Sequence, residues 1–423
     1  MSAEGEKDRA AERDLFGYVW SELRGFGELP LSDVDSLVLS CLSYLRLPEE
    51  VAQARTHEGL PVRELFRAEW LPQMTQGLWN PEGMARLVAC VAASPRFRDV
   101  RLSDYVDEFD EDAEKQFSAC TLRLPTGGDA YVSFRGTDNT LVGWKEDLSM
   151  AFAANVPSQR AAVAYLERVA PSVEGRLYAG GHSKGGNLAV YAASMCSDAV
   201  AARLARVFSH DGPGFTAETL SDARWEARSH LVSKTVPRSS FVGMFLERQE
   251  DFVVVESSAT GLGQHDPFSW VVEDGSFVEV ERIARGMGYL DESLNQWVAS
   301  LDRHEREGFV NALFSVLYAG GEDTFAALKG NWQEALPAMM EQLGALEPEE
   351  RSLVAHALVG FVRALAPDIS LPQLPSLDVS ALPAALRSIL PLSGTLEAER
   401  DARRKAEDGG EDRGGVRVGR GNV

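Results

Sequence analysis

Cysteine is scarce in this chain of 423 residues: Cys41, Cys90, Cys120 and Cys196 stand singly, with no Cys-x-x-Cys pair. That spacing excludes a disulfide framework and a zinc site, and it reads as buried free thiols in a reducing cytoplasm. Long apolar runs are missing as well. No stretch approaches the roughly 18–20 residues that a membrane-spanning helix needs. The start, Met1 to Arg9, is polar and acidic, without the apolar centre of a secretory signal. Basic charge is short: 42 Lys and Arg face 64 Asp and Glu, a formal net charge of −22. Nucleic acid and anionic membrane surfaces require basic patches, so neither is expected as a main partner. Histidine is rare too, at 7, which makes a search for a catalytic base by elimination possible.

What is present is an ordinary globular composition, 44% hydrophobic and 25% charged, long enough for one large domain with additions or for two. Residues 1–12 form a charged leader that is expected to be disordered. Residues 13–105 read as helical, with Leu37, Leu39, Leu42 and Leu45 forming an apolar face. Strand signals follow at Phe117 to Leu124 and Ala130 to Phe134, around the turn Thr126-Gly127-Gly128-Asp129. A helix is expected over 158–169, with Ala162, Leu166 and Val169 on one side. Next come a strand at Leu177–Ala179, a helix, and a strand at Val207–Phe208. A charged helical piece covers 217–231, and strands at 241–246 and 252–256 flank a charged turn. This alternation predicts an α/β fold, a doubly wound and mostly parallel sheet over 106–280, with helices added at both ends. From about Ser276 the pattern turns helical, and 281–366 forms a C-terminal helical region. There Leu353, Ala357, Phe361 and Leu365 make an i, i+4 stripe. A Pro- and Leu-rich arm (367–394) and a disordered tail (395–423) complete the chain.

The chemistry concentrates at Gly181-His182-Ser183-Lys184-Gly185-Gly186, between a short apolar strand and an alanine-rich helix. Gly-x-Ser-x-Gly in that setting is the nucleophile elbow, a sharp strand-to-helix turn that lifts the hydroxyl above a sheet. The free N–H groups of the helix start favour negative charge on a bound acyl group.

A serine nucleophile needs a base, an acid that orients the base, and an oxyanion hole. In the order serine, acid, histidine, six histidines are set aside. His57 precedes the serine, His182 abuts it and His210 comes too early. His230 and His304 lie in charged surface segments, and His356 belongs to the apolar helix. His265 remains, in the glycine-flanked loop Gly261-Leu262-Gly263-Gln264-His265-Asp266-Pro267. Asp211, just past a strand and before Gly212-Pro213-Gly214, is the expected acid. Asp251 is the runner-up, and Asp266 at most a local helper. The oxyanion donors are expected to be the Lys184 N–H and Thr137, in Phe134-Arg135-Gly136-Thr137-Asp138. Gly136 there permits a tight turn, and Trp144 and Asp147 follow over the site.

Phe134-Arg135-Gly136-Thr137, Trp144…Asp147-Leu148 and the elbow itself resemble the motifs of class three lipases, the fungal triacylglycerol-lipase-like group. Further stretches resemble a bacterial Mbeg-like family of α/β-hydrolases related to them. These are Asp33–Leu37, Asp211–Phe215, Val236–Gly243 and Gln264–Trp270, so the likeness covers most of 14–330. Class three lipases carry the acid in an Asp-x-Val-Pro segment. Lys234 stands there in this chain, which moves the acid to Asp211. Lys184 replaces the usual leucine and either favours anionic substrates or pairs with an acidic neighbour. The long apolar lid of interfacial lipases is not evident. The resemblance implies a cytoplasmic serine hydrolase of small-molecule or lipid-like esters or thioesters, without a cofactor. A peptidase or acyltransferase would use the same residues. The rival reading is a catalytically weak or inactive member of the fold that binds a partner. A metal site from His210, Asp211, His265 and Asp266 has no recognisable ligand spacing.

Overall fold

Eight strands form one sheet in which the order along the chain is also the order in space. They are β1 (Leu60–Pro61), β2 (Arg101–Asp110), β3 (Lys115–Arg123), β4 (Ala130–Phe134), β5 (Leu177–His182), β6 (Leu204–His210), β7 (Val232–Pro237) and β8 (Phe252–Val255). Neighbours from β1 to β4 run antiparallel, and those from β4 to β8 run parallel. The computed structural model describes residues 13–138, 140–150, 155–240, 242, 243, 246, 251–281, 303–348, 351 and 354. Described helices of six residues or more are α1 (Leu15–Ser21), α2 (Asp33–Leu42), α3 (Pro81–Ala93), α4 (Leu141–Ser149), α5 (Pro157–Val169), α6 (Lys184–Met195), α7 (Ala223–Arg228), α8 (Arg303–Ala319), α9 (Phe325–Gly330) and α10 (Trp332–Ala345). None of the described helices is long and apolar enough to cross a membrane.

Strand alternation divides the core into two layers. Tyr131, Tyr178 and Phe208 point to one face of the sheet and pack with Leu15, Leu37 and Leu87 of α1, α2 and α3. Ala130, Val132, Leu177, Ala179 and Val207 point to the other, under Leu166 of α5, Leu188 and Ala192 of α6 and Trp225 of α7. Parallel neighbours cannot be joined by a tight turn, so the crossover helices α5, α6 and α7 fall between strands. The N-terminal helices cover the face that the crossovers leave. A third apolar cluster joins Leu141 of α4 to Val310, Leu313, Phe314 and Leu317 of α8 and to Ala335 and Leu343 of α10. Registers Phe134↔Gly181 and His182↔His210 bring the ends of β4, β5 and β6 to one edge. Loops following parallel strands meet at that edge.

Three expectations on local structure change. The helical reading up to residue 105 ends earlier, because β2 begins at Arg101. Charged residues at 104, 107, 108 and 110 and a bulge between Ser103 and Val106 hide its alternation. Within that helical stretch, Leu15–Ser21 and Asp33–Leu42 are separate helices. Asp14 caps α1, and Ser32 and Asp35 form the capping box that starts α2 afresh. From about Ser276 the chain does not turn helical at once. It makes a small hairpin, β9 (Val272–Glu273) with β10 (Ser276–Phe277), around Asp274-Gly275, both at positive φ. Half of the strand expected over 241–246 falls outside the described residues; Val242, Gly243 and Leu246 are described and lie in bends and a turn, not in a strand. The 1–12 leader, the stripe Leu353, Ala357, Phe361 and Leu365, the 367–394 arm and the 395–423 tail also lie outside them.

Candidate active site

Ser183 stands between the end of β5 and the first residue of α6, with φ 58° and ψ −134°. An L residue held there carries strain of order 1–3 kcal/mol, which the surrounding structure must impose. The Ser183 N–H donates to the His210 carbonyl at 2.9 Å, tying the elbow to β6. A Cβ on Gly181 would sit 2.3 Å from the Gly185 carbonyl carbon, and one on Gly185 would sit 2.1 Å from the Phe134 carbonyl oxygen. The flanking glycines therefore serve close approach of β4, β5 and α6, while the serine itself takes the positive φ. Its hydroxyl makes no hydrogen bond among the described residues.

Asp211 follows β6 directly, also at positive φ, 52°. Its Oδ2 accepts from His265 Nδ1 at 2.6 Å. Its Oδ1 accepts the Ser240 hydroxyl and, at 3.1 Å, the Gly243 N–H. A Cβ on Gly243 would lie 2.3 Å from that oxygen, so only glycine admits the carboxylate there. With its side chain 1% exposed, Asp211 is held by three hydrogen bonds among the described residues. Asp251, the other expected acid, is exposed just before β8, and the His265 Nδ1 it would need is taken.

The His265 loop is fixed on several sides. The Gln264 side chain accepts from the Ser239 N–H at 2.7 Å and donates to the Ala259 carbonyl, and the Trp270 indole donates to the Gln264 carbonyl at 2.8 Å. Asp266 does not help the imidazole. It accepts from Asn80 Nδ2 at 2.9 Å and from the Phe268 N–H, tethering the loop to the start of α3. His210 Nε2 meets the Ser36 hydroxyl at 2.9 Å, away from Asp266, so the four side chains weighed as metal ligands do not converge. Among the described residues no group of three or more His, Cys, Asp or Glu is placed to hold a metal ion.

On the other side of Ser183, the Thr137 and Lys184 N–H groups have no acceptor among the described residues, as an oxyanion hole requires. The Thr137 hydroxyl donates to Asp147 Oδ2 instead of pointing free. Gly136 is not at positive φ. Its bare Cα makes room, since a Cβ would lie 2.0 Å from the Tyr44 hydroxyl. Of the two roles expected for Lys184, the geometry realises the ion pair. Its ammonium is buried at 3.0 Å from Glu146 and 3.7 Å from Asp147, out of reach of an anionic substrate. Burial opposes its charge, but the two carboxylates prevail and hold its pKa above the ordinary lysine value. Glu146 is itself fully buried and also accepts from the Gln116 N–H, the Ser158 N–H and the Ser158 hydroxyl. Burial pushes Asp147 up to about 6, although Lys184 and Thr137 pull it down.

A cavity of about 110 Å³ joins these parts. Ser183, His265, Thr137 and Asp147 line it beside an apolar wall of Cys41, Leu78, Trp79, Met84, Val242 and Phe268. Trp79 is 63% exposed at its rim. The structure thus brings all five expected site residues, Ser183, His265, Asp211, Thr137 and Lys184, to one edge of the sheet. Sequence reasoning missed the residues that hold them: Ser240 and Gly243 on the acid, Gln264 and Asn80 on the base loop, and Glu146 on the lysine. Only the Val236–Gly243 and Gln264–Trp270 motifs carried a signal for any of these.

A mostly parallel sheet with helices on both faces, a serine elbow after one strand and an aspartate after the next define an α/β-hydrolase fold. The chain belongs to the Mbeg1-like family, whose model matches residues 91–315. Solved structures similar to it include M37 lipase, at 14% identity over 51% of this chain and 69% of that one, with a TM-score of 0.32. The lipase of Rhizopus microsporus var. chinensis is 14% identical over 62% of this chain and 93% of its own, with a TM-score of 0.31. A Rhizomucor miehei lipase propeptide complex is 15% identical over 50% and 70%, also at 0.31. No curated protein matches the chain.

Proposed function

We propose that this protein is a serine hydrolase that cleaves carboxylic esters or thioesters of small-molecule or lipid-like alcohols and thiols. The Ser183 hydroxyl attacks the acyl carbon while His265 Nε2 takes its proton. Asp211 keeps the His265 proton on Nδ1 and stabilises the imidazolium that forms. The Lys184 and Thr137 N–H groups receive the negative charge that develops on the acyl oxygen. His265 then returns its proton to the leaving alkoxide or thiolate, and water, deprotonated by the same imidazole, releases the acid from Ser183. The apolar wall of the cavity suits the acyl chain, and among the described residues that line it there is no lysine or arginine to select a charged one.

The observation that carries this reading is the 2.6 Å bond between buried Asp211 and His265, whose ring lines the same cavity as the strained Ser183. Hydrolysis of p-nitrophenyl esters of graded chain length tests it. Turnover is expected in the wild type, with kcat lowered by about three orders of magnitude or more in Ser183→Ala and His265→Ala. A well-folded wild type that hydrolyses none of the esters would remove the reading and leave the fold as a binding module.

A further inference from the structure

His182, the residue before the candidate nucleophile, is almost completely buried, and both its ring nitrogens are engaged. Nε2 lies 2.8 Å from the main-chain carbonyl of His265, and Nδ1 lies 3.0 Å from the Tyr44 hydroxyl. A carbonyl oxygen only accepts, so the proton must sit on Nε2. Nδ1 is then the acceptor, and Tyr44 donates to it. Burial, with His265 and His210 close by, lowers the pKa of His182 well below the ordinary imidazole value, so this neutral tautomer persists. The His182 and His265 rings lie 4.6 Å apart at a 36° tilt, and Trp270 meets His182 edge-on at 6.3 Å.

We infer that His182 is a positioning residue, a hydrogen-bonded strut from the nucleophile's own strand to the backbone of the base. Asp211 fixes the rotation of the His265 ring, and Gln264 and Asp266 fix the loop to its neighbours. The His182 bond is the one that sets the base relative to Ser183, because it starts one residue from that serine. Tyr44 holds the strut from behind, and a side chain at Gly136 would displace it. The nucleophile, the base, the oxyanion strand and the N-terminal helices thus meet through one neutral imidazole. A displacement of about 1 Å between reacting groups costs on the order of 100-fold in rate, so such a strut shows in kcat.

The inference rests on the serine hydrolase reading, and its test keeps the two apart. Glutamine can place its amide nitrogen where Nε2 donates; leucine fills the space without donating. His182→Leu is expected to lower kcat roughly 10- to 100-fold with KM within about twofold, and His182→Gln to recover most of the loss. Histidine ¹⁵N NMR of the full chain at neutral pH is expected to show His182 as the Nε2–H tautomer. It is also expected to show a sharp His265 Nδ1–H signal that broadens in His182→Leu and sharpens again in His182→Gln. Wild-type kcat in His182→Leu, or an Nδ1–H tautomer at His182, would overturn the strut. Absence of any wild-type turnover would overturn the hydrolase reading, while the NMR measurement would still decide the strut.

Discussion

The two flanks of Ser183 are built from different chemistry. On the base side, His182, His210, Tyr44, Gln264 and Trp270 are neutral groups joined by hydrogen bonds and ring contacts. On the oxyanion side, Lys184, Glu146 and Asp147 are charged groups buried together, with Thr137 bonded to the last of them. Neutral hydrogen bonds cost little to bury when fully paired, whereas each buried ion carries a desolvation penalty that its partner must offset. The neutral groups of the base side should therefore fail when they gain a charge, and the Lys184–Glu146 pair of the oxyanion side when it loses one partner. The two flanks also carry opposite dependences on pH.

The largest effect is expected from Glu146→Leu, which leaves the Lys184 ammonium buried against Asp147 alone. Removing one partner of a buried pair costs about 3–5 kcal/mol, readable as a drop in the urea midpoint. Adding Lys184→Met should restore most of it, and failure of the double variant to recover would mean that the pair is not the source of the loss.

The next effect sharpens the pH contrast on the base side. Burial lowers His210 to about 4, so the unfolded chain takes up its proton first. The stability this contributes is present above about pH 6.5 and disappears as pH falls toward 4, amounting to about 3 kcal/mol. Denaturation curves between pH 4.5 and 7.5 should show this slope added to that of His182, which is lowered in the same way, and His210→Phe, stacked as the imidazole is on Phe208, should make it shallower. Asp147 has the reverse sign. Raised from 3.8 to about 6, it favours the folded state at low pH and loses that contribution as pH rises through 6. Asp147→Asn should therefore gain on the wild type by about 1–3 kcal/mol between pH 4 and 7. A gap between the two proteins that does not change with pH would contradict the ionic picture of that flank. The smallest effect lies between the flanks. Ser183→Gly, relieved of the φ 58° strain, should be more stable by about 1 kcal/mol at neutral pH while losing activity.

Legibility in the sequence followed the same division. The elbow was readable because glycines at 181 and 185 report a backbone approach that no other residue allows. The pairing of Asp211 with His265 could be anticipated because chain order and the scarcity of histidine left few choices. Lys184 could be placed but not interpreted, since its partner Glu146 lies 38 positions away and looks like any surface glutamate. The bonds from Tyr44 to His182 and from Asn80 to Asp266 span 138 and 186 positions. Nothing local marks residues that act across such distances. Strand β2 was hidden because β1 covers only Arg101 and Leu102, and the open outer side of the rest, with a bulge, lets charged residues replace the apolar alternation that would have revealed it.

The central claim is that Ser183 is a nucleophile activated by His265 and Asp211. A fluorophosphonate probe followed by peptide mapping tests it most directly. One adduct per chain is expected, on Ser183, absent in Ser183→Ala and formed at least about 100-fold more slowly in His265→Ala and Asp211→Asn. Folded wild-type protein that gains no adduct, or gains it on another residue, would contradict the claim.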